Sequence, residues 1–241
     1  MTARPVAHRG LHDAAAGIIE NTASAVDAAV AGGYAIEVDV QLSRDGEAMV
    51  FHDFALERLT TGCGKVADLS VAELQALAFK GTADAMMTLP ELLARVDGRT
   101  LLLVEIKSAF TGDVRLARRT AELAAAYAGP IALMSFDPEM VAAVAEAAPK
   151  VRRGIVAQRR YGDSEWTGLS ALQRWTMGHL LHWPRSHFQF IAYRVADLGA
   201  PVLRLARACG MPVLTWTVRS PQDRARCASG ADQMIFETFR P

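Results

Sequence analysis

The chain has 241 residues, 51% of them hydrophobic, with 26 Lys plus Arg set against 26 Asp plus Glu. That balance argues against a nucleic-acid binder or a protein held to an anionic membrane by charge. No apolar run reaches the roughly 18 residues of a spanning helix, and the start MTARPVAHRG lacks the apolar stretch of a secretory signal. Cys63, Cys209 and Cys227 show no C-x-x-C spacing, so the expectation is a cytoplasmic protein, without stable membrane insertion. No Pro/Ser-rich linker or charge block divides the chain, and residues 1–241 are expected to form one domain.

The first candidate element, Pro5-Val6-Ala7-His8-Arg9-Gly10, reads as a short strand ending on an imidazole, a guanidinium and a residue able to turn sharply. A histidine at a strand end is commonly structural; here Arg9 adds a planar fork suited to phosphate or carboxylate. Glu20-Asn21-Thr22 then precedes an alanine-rich helix over about 22–31, stopped by Gly32-Gly33. Asn21 or Thr22 as N-cap accounts for most of that tripeptide and leaves Glu20 as a supporting polar group.

The stretch AIEVDVQLSRDGEAMVFHD, residues 35–53, carries the main signal. Ile36, Val38 and Val40 alternate with Ala35, Glu37 and Asp39, so the two carboxylates leave a strand on one face, a pleat apart. Such a pair is often a solvated face. If the β-branched face packs under helices, however, the carboxylates point inward, where they need a counter-cation. Oxygen donors of this kind suit Mg2+ or Ca2+. An Asp45-Gly46 turn leads to a second apolar run that delivers His52-Asp53, making a hairpin-like unit.

Residues 53–87 read as a small insertion after the second strand, with a Ser70/Glu73 capping box. A helix over about 89–96 precedes the strand at 101–107, where Glu105 and Lys107 share a face; a buried Glu–Lys strut explains them without invoking chemistry. Helices near 114–127 and 138–148 then alternate with strands at 131–135 and 154–156. Further on come a strand at 188–192, a helix at 201–209, a strand at 212–218 with Trp216, a helix from Pro221, and a strand at 233–236. This alternation predicts βαβ units, a parallel sheet and, near eight strands, a closed α/β barrel whose functional groups sit at the C-terminal strand ends. Its last helix is short or absent, so the exposed flank needs another cover, a second subunit being one option. Residues 157–187 hold three of the four tryptophans. Their helix, about 170–181 with Leu172, Trp175 and Leu180, reads as core-facing, with a substrate lid or a subunit contact as the sharper alternative. The spacing of His179, His182 and His187 makes a metal cluster there a weak reading.

In order and spacing, His8-Arg9-Gly10, Glu20-Asn21-Thr22, Glu37-x-Asp39, His52-Asp53 and Glu105-Ile106-Lys107 resemble the glycerophosphodiester phosphodiesterase family. The resemblance extends through LERLTTGCGKVADLSVAEL, Trp216-Thr217-Val218 and GADQMIF, and so covers nearly the whole chain. It implies a TIM (β/α)8-type barrel and metal-dependent hydrolysis of a small-molecule phosphodiester to sn-glycerol 3-phosphate and an alcohol. Glu37, Asp39 and Glu105 would hold Mg2+ or Ca2+, His8 and His52 would serve as general acid and base, and Arg9 and Lys107 would grip phosphate. Trp216 is either an apolar wall for the glycerol carbons or barrel filling. Two positions depart from the family pattern: Phe236-Glu237 stands where Thr-Asp is frequent, and Arg219 where Asn is frequent. Both are expected to lie outside the metal and histidine sets. Other readings are a different metal-dependent barrel enzyme acting on a phosphorylated small molecule, a lysophospholipase D-type activity, and a silent binding protein of the same fold.

Overall fold

The computed structural model describes residues 3–162 and 166–241. Nine strands form one sheet in the order β1-β9-β8-β7-β6-β5-β4-β2-β3, and a further β1–β2 pairing closes it. They are β1 (Val6–Ala7), β2 (Ala35–Leu42), β3 (Ala48–Val50), β4 (Leu102–Ile106), β5 (Ile131–Ser135), β6 (Arg152–Ala157), β7 (Phe190–Arg194), β8 (Val213–Val218) and β9 (Gln233–Phe236). All neighbours pair in parallel except β2 and β3, which form the antiparallel hairpin. The result is a closed eight-stranded parallel barrel of the TIM type, with β3 as an appendage.

Around it lie α1 (Ala23–Ala31), α2 (Val71–Gln75), α3 (Leu89–Val96), α4 (Arg115–Ala126), α5 (Pro138–Ala147), α6 (Ala171–Gly178), α7 (Trp183–Ser186), α8 (Pro201–Ala208) and α9 (Pro221–Gly230). Helix α3 shows how local sequence sets an element. Thr88 and Glu91 form a reciprocal capping box, Pro90 sits in the first turn, and Leu89, Leu92, Leu93 and Val96 supply the buried stripe.

Strand alternation divides the core in two. Val6, Ala35, Leu103, Val156, Phe190 and Leu214 pack inside the barrel. Ile36, Val38, Val40, Leu102, Val104 and Ile106 pack outside it, beneath the helices. Glycine at 154 is dictated by this filling, because a Cβ there would lie 2.3 Å from the Phe190 ring. Residues of the 53–87 segment make a separate apolar cluster in which Leu56, Val66, Leu74 and Phe79 surround Met49 and Phe51 of the hairpin arm.

Two expectations change. Leu172 and Trp175 on α6 are 69% and 52% exposed, whereas Leu180 and Met177 are buried, so only part of this segment faces the core. Leu180 itself takes a left-handed conformation (φ 56°), which breaks the single helix expected over 170–181 into α6 and α7. Among the described residues no helix follows β9; instead Phe239 packs on the outer core, 5.6 Å from the ring of Phe236, which in turn meets Tyr34 edge-on at 5.0 Å. These aromatics pack against the outer core at that flank.

Candidate active site

Parallel pairing explains how distant carboxylates meet. Asp39 on β2 lies opposite Glu105 on β4, and residues in register on parallel strands point to one face. Glu37 precedes Asp39 by one pleat. Oxygens of Glu37, Asp39 and Glu105 consequently lie within 4.8 Å of one another, all three residues being buried. Lys107, two residues beyond Glu105, sets its Nζ 2.7 Å from Asp39 Oδ1 and 2.5 Å from Glu105 Oε1.

The electrostatics of the cluster are divided. Burial, with Asp39 and Glu105 alongside, pushes the Glu37 carboxyl well above its ordinary range. Burial also works against ionised Asp39, yet Lys107, His52 and Arg9 outweigh it and hold that carboxyl far below the usual range. Glu37 Oε1 is buried with no hydrogen-bond partner. An orphaned carboxylate oxygen facing two further acidic groups fits a hard divalent cation, for which all-oxygen donors are the preferred ligands.

Arg9 and Glu20 stand beside the cluster. The Arg9 backbone N–H donates to Glu37 Oε2 (2.9 Å), its Nη1 donates to Glu20 Oε1 (2.7 Å), and its Nε lies 3.4 Å from Asp39 Oδ2. Glu20 also accepts two bonds from Arg58, at 2.7 and 3.0 Å. The sharp exit after Arg9 requires Gly10: its φ is +79°, and a Cβ would come within 2.9 Å of the Ala25 backbone.

His8 and His52 flank the cluster from β1 and from the end of the hairpin. His8 Nε2 lies 3.9 Å from Glu37 Oε2, and its Nδ1 is 2.6 Å from Glu237 Oε2. Burial lowers the His8 pKa, against the pull of Glu237. His52 Nδ1 meets Asp53 Oδ1 at 2.6 Å, and Asp53 is gripped by Arg58. Trp216 anchors its indole N–H on the Ala192 carbonyl (2.9 Å) and presents its ring edge-on to Phe136, which adjoins Trp166. These groups line one cleft of about 1230 Å3 that also admits Arg9, Lys107 and Arg219.

Sequence reasoning missed two residues here. Asn21 does not cap α1; the cap position is Thr22, which makes no side-chain cap bond. Asn21 instead adopts φ 59°, donates from Nδ2 to Asp39 Oδ2 (3.0 Å) and accepts from the Asp39 N–H (3.2 Å). Glu237, expected only to lie outside the metal and histidine sets, is bonded to His8, and Arg219 is ion-paired to Glu237. The missed signal was period two: Ile235 points into the barrel, so Glu237 does too. The three histidines of 179–187 hold no common site; His179 bonds Trp175 and His182 bonds Ser186.

A sequence profile of the Glycerophosphoryl diester phosphodiesterase family matches residues 8–237. The chain belongs to that family. It is therefore an enzyme of the glycerophosphodiester phosphodiesterase class. The Bacillus subtilis (strain 168) protein YhdW, which carries the name of this class, is 26% identical over 96% of this chain and 93% of its own. A glycerophosphodiester phosphodiesterase of Caldanaerobacter subterraneus subsp. tengcongensis is 34% identical over 43% of this chain and 44% of its own. Among solved structures, a phosphodiesterase of Oleispira antarctica in complex with its product sn-glycerol-3-phosphate superposes with a TM-score of 0.79, at 21% identity, over 99% of this chain and 94% of that one. The glycerophosphodiester phosphodiesterase of Thermotoga maritima gives 0.73, at 22% identity, over 98% and 95%. At such identities the two structures support the barrel fold.

Proposed function

We propose that this chain hydrolyses glycerophosphodiesters to sn-glycerol 3-phosphate and an alcohol, using a divalent cation, Mg2+ or Ca2+, and two histidines. The observation that carries this reading is the buried acidic triad with its orphaned Glu37 oxygen, flanked on either side by an imidazole. The product bound by the Oleispira antarctica relative supports the same substrate class. Glu37, Asp39 and Glu105 would hold the cation, which when bound neutralises the diester's anionic oxygens and so makes phosphorus open to attack.

The remaining chemistry falls to the chain's own groups. Arg9 and Lys107 supply positive charge for the oxygens that gain charge in the transition state. One imidazole removes the proton of the attacking hydroxyl, from water or from the glycerol moiety, while the other protonates the leaving oxygen. Each is steadied through Nδ1 by a carboxylate, Glu237 for His8 and Asp53 for His52, and offers Nε2 to the reactants. Trp216 and Phe136 form an apolar wall of the cleft. That wall, extended by Trp166 and Phe110, favours a second reading in which the glycerol moiety carries an apolar acyl chain, as in a lysolipid, and the head-group alcohol is released.

A panel of glycerophosphodiesters and lysophospholipids, assayed by release of glycerol 3-phosphate or of the free head group, tests both readings. Turnover with Mg2+ or Ca2+ that stops on adding EDTA is the expected result. Equal turnover with and without the chelator would overturn the metal role, and inactivity on every diester would overturn the substrate class. The three free cysteines accord with a cytoplasmic setting, and among the described residues no helix is long and apolar enough to cross a membrane.

A further inference from the structure

Glu237 and Arg219 meet at one point. Glu237 extends from the end of β9, and Arg219 follows β8; Arg219 Nε donates to Glu237 Oε1, while the other carboxylate oxygen, Oε2, lies 2.6 Å from His8 Nδ1. Parallel pairing of β1 with β9 sets Ala7 against Phe236, so the next residues of each strand, His8 and Glu237, fall side by side at the barrel's closing seam. The Arg219 backbone N–H is itself tied to Asp223 Oδ2 at 3.3 Å, and His12 Nε2 stands 3.7 Å from Glu237 on the other side. A carboxylate so surrounded is ionised: burial opposes this, but the neighbouring His12, the bonds from His8 and Arg219 and the charge of His8 keep its pKa far below the ordinary range.

An ionised carboxylate only accepts, so Nδ1 of His8 must hold the ring proton. The free nitrogen is then Nε2, which faces the acidic triad at 3.9 Å from Glu37. His52 shows the same construction: Nδ1 on Asp53, and Asp53 on an arginine, Arg58. From these contacts we infer that Glu237 is a positioning residue, holding His8 in the Nδ1–H tautomer with Nε2 toward the diester, and that Arg219 fixes the carboxylate in turn. The inference rests on the acid/base role of His8 given above.

The test uses the purified, metal-loaded full chain, with 15N-histidine NMR as a readout independent of turnover. In the parent protein His8 is expected to show the Nδ1–H tautomer. Glu237→Ala is expected to shift it toward Nε2–H and to lower kcat by about 100-fold, between the effect of an ordinary outer-shell partner and that of a triad carboxylate, with KM and Mn2+ affinity unchanged. Glu237→Gln retains an oxygen acceptor and is expected to lose about 10-fold, keeping the tautomer. Arg219→Met is expected to fall between Glu237→Gln and the parent. In a His8→Ala background, Glu237→Ala should cost nothing further. An unchanged tautomer in folded Glu237→Ala, or an equal loss of kcat with and without His8, would overturn the inference. Parent-like turnover of His8→Ala would instead overturn the acid/base reading on which it rests, and the two failures are therefore distinct.

Discussion

Each group in the cleft fails in its own way. His52 contacts Asp53 and faces the cleft but donates nothing to the triad, so His52→Ala is expected to retain Mn2+ affinity by calorimetry while kcat falls by about 100- to 10,000-fold. Glu37→Gln removes a cation donor, and affinity and turnover are expected to fall together. Asn21→Ala deletes both bonds to Asp39 and leaves the Asp39 N–H buried without a partner, a loss of about 1–3 kcal/mol in urea melts together with weaker cation binding. An unchanged urea midpoint would show that Asn21 is idle. The Glu37/Asp39 pair was legible in the sequence because i and i+2 spacing on a strand fixes a shared face, whereas Glu105 joined it only through the resemblance to the family. Asn21 was hidden because the same residue type, one position before a helix, has a plausible local use in capping. Only the tertiary placement of Asp39 against it decides which use applies.

At the level of elements, the α-helical layer and the 157–187 crossover make opposite forecasts. Leu92 of α3 is fully buried against the outer core, so Leu92→Ala is expected to cost about 2–5 kcal/mol by denaturant titration. Leu172→Ser on α6, at 69% exposure, should change stability by less than about 0.5 kcal/mol. A large loss from Leu172→Ser would mean that this face is covered. Strands and helices of the barrel were readable because capping boxes, glycine stops and apolar runs agree with one another, as at Thr88 and Glu91. The α6–α7 break was not readable. Its apolar residues are divided between inside and outside, and the left-handed position falls on Leu180 rather than on Gly178, the last residue of α6.

For the molecule as a whole, a cation held by the triad would compete with a proton. Glu37 has a folded pKa raised above the unfolded value, so its contribution to stability is fully present below the unfolded pKa and is lost as pH rises through the folded one. A bound cation displaces that proton. The stabilisation on adding Mg2+ or Ca2+, read as a rise in Tm, is therefore expected to grow as pH increases through the raised Glu37 value, a hundredfold excess over Kd being worth about 2.7 kcal/mol. A Tm increment independent of pH would show that Glu37 is not a ligand. The chain's first strand and its last meet at a seam where His8 and Glu237, 229 positions apart in sequence, touch. During synthesis, the polypeptide emerges with its acidic donors long before that partnership exists. A chain ending short of β9 would lack both the strand that closes the barrel and the carboxylate that meets His8, and an assay of such a truncated protein is expected to find no phosphodiester turnover.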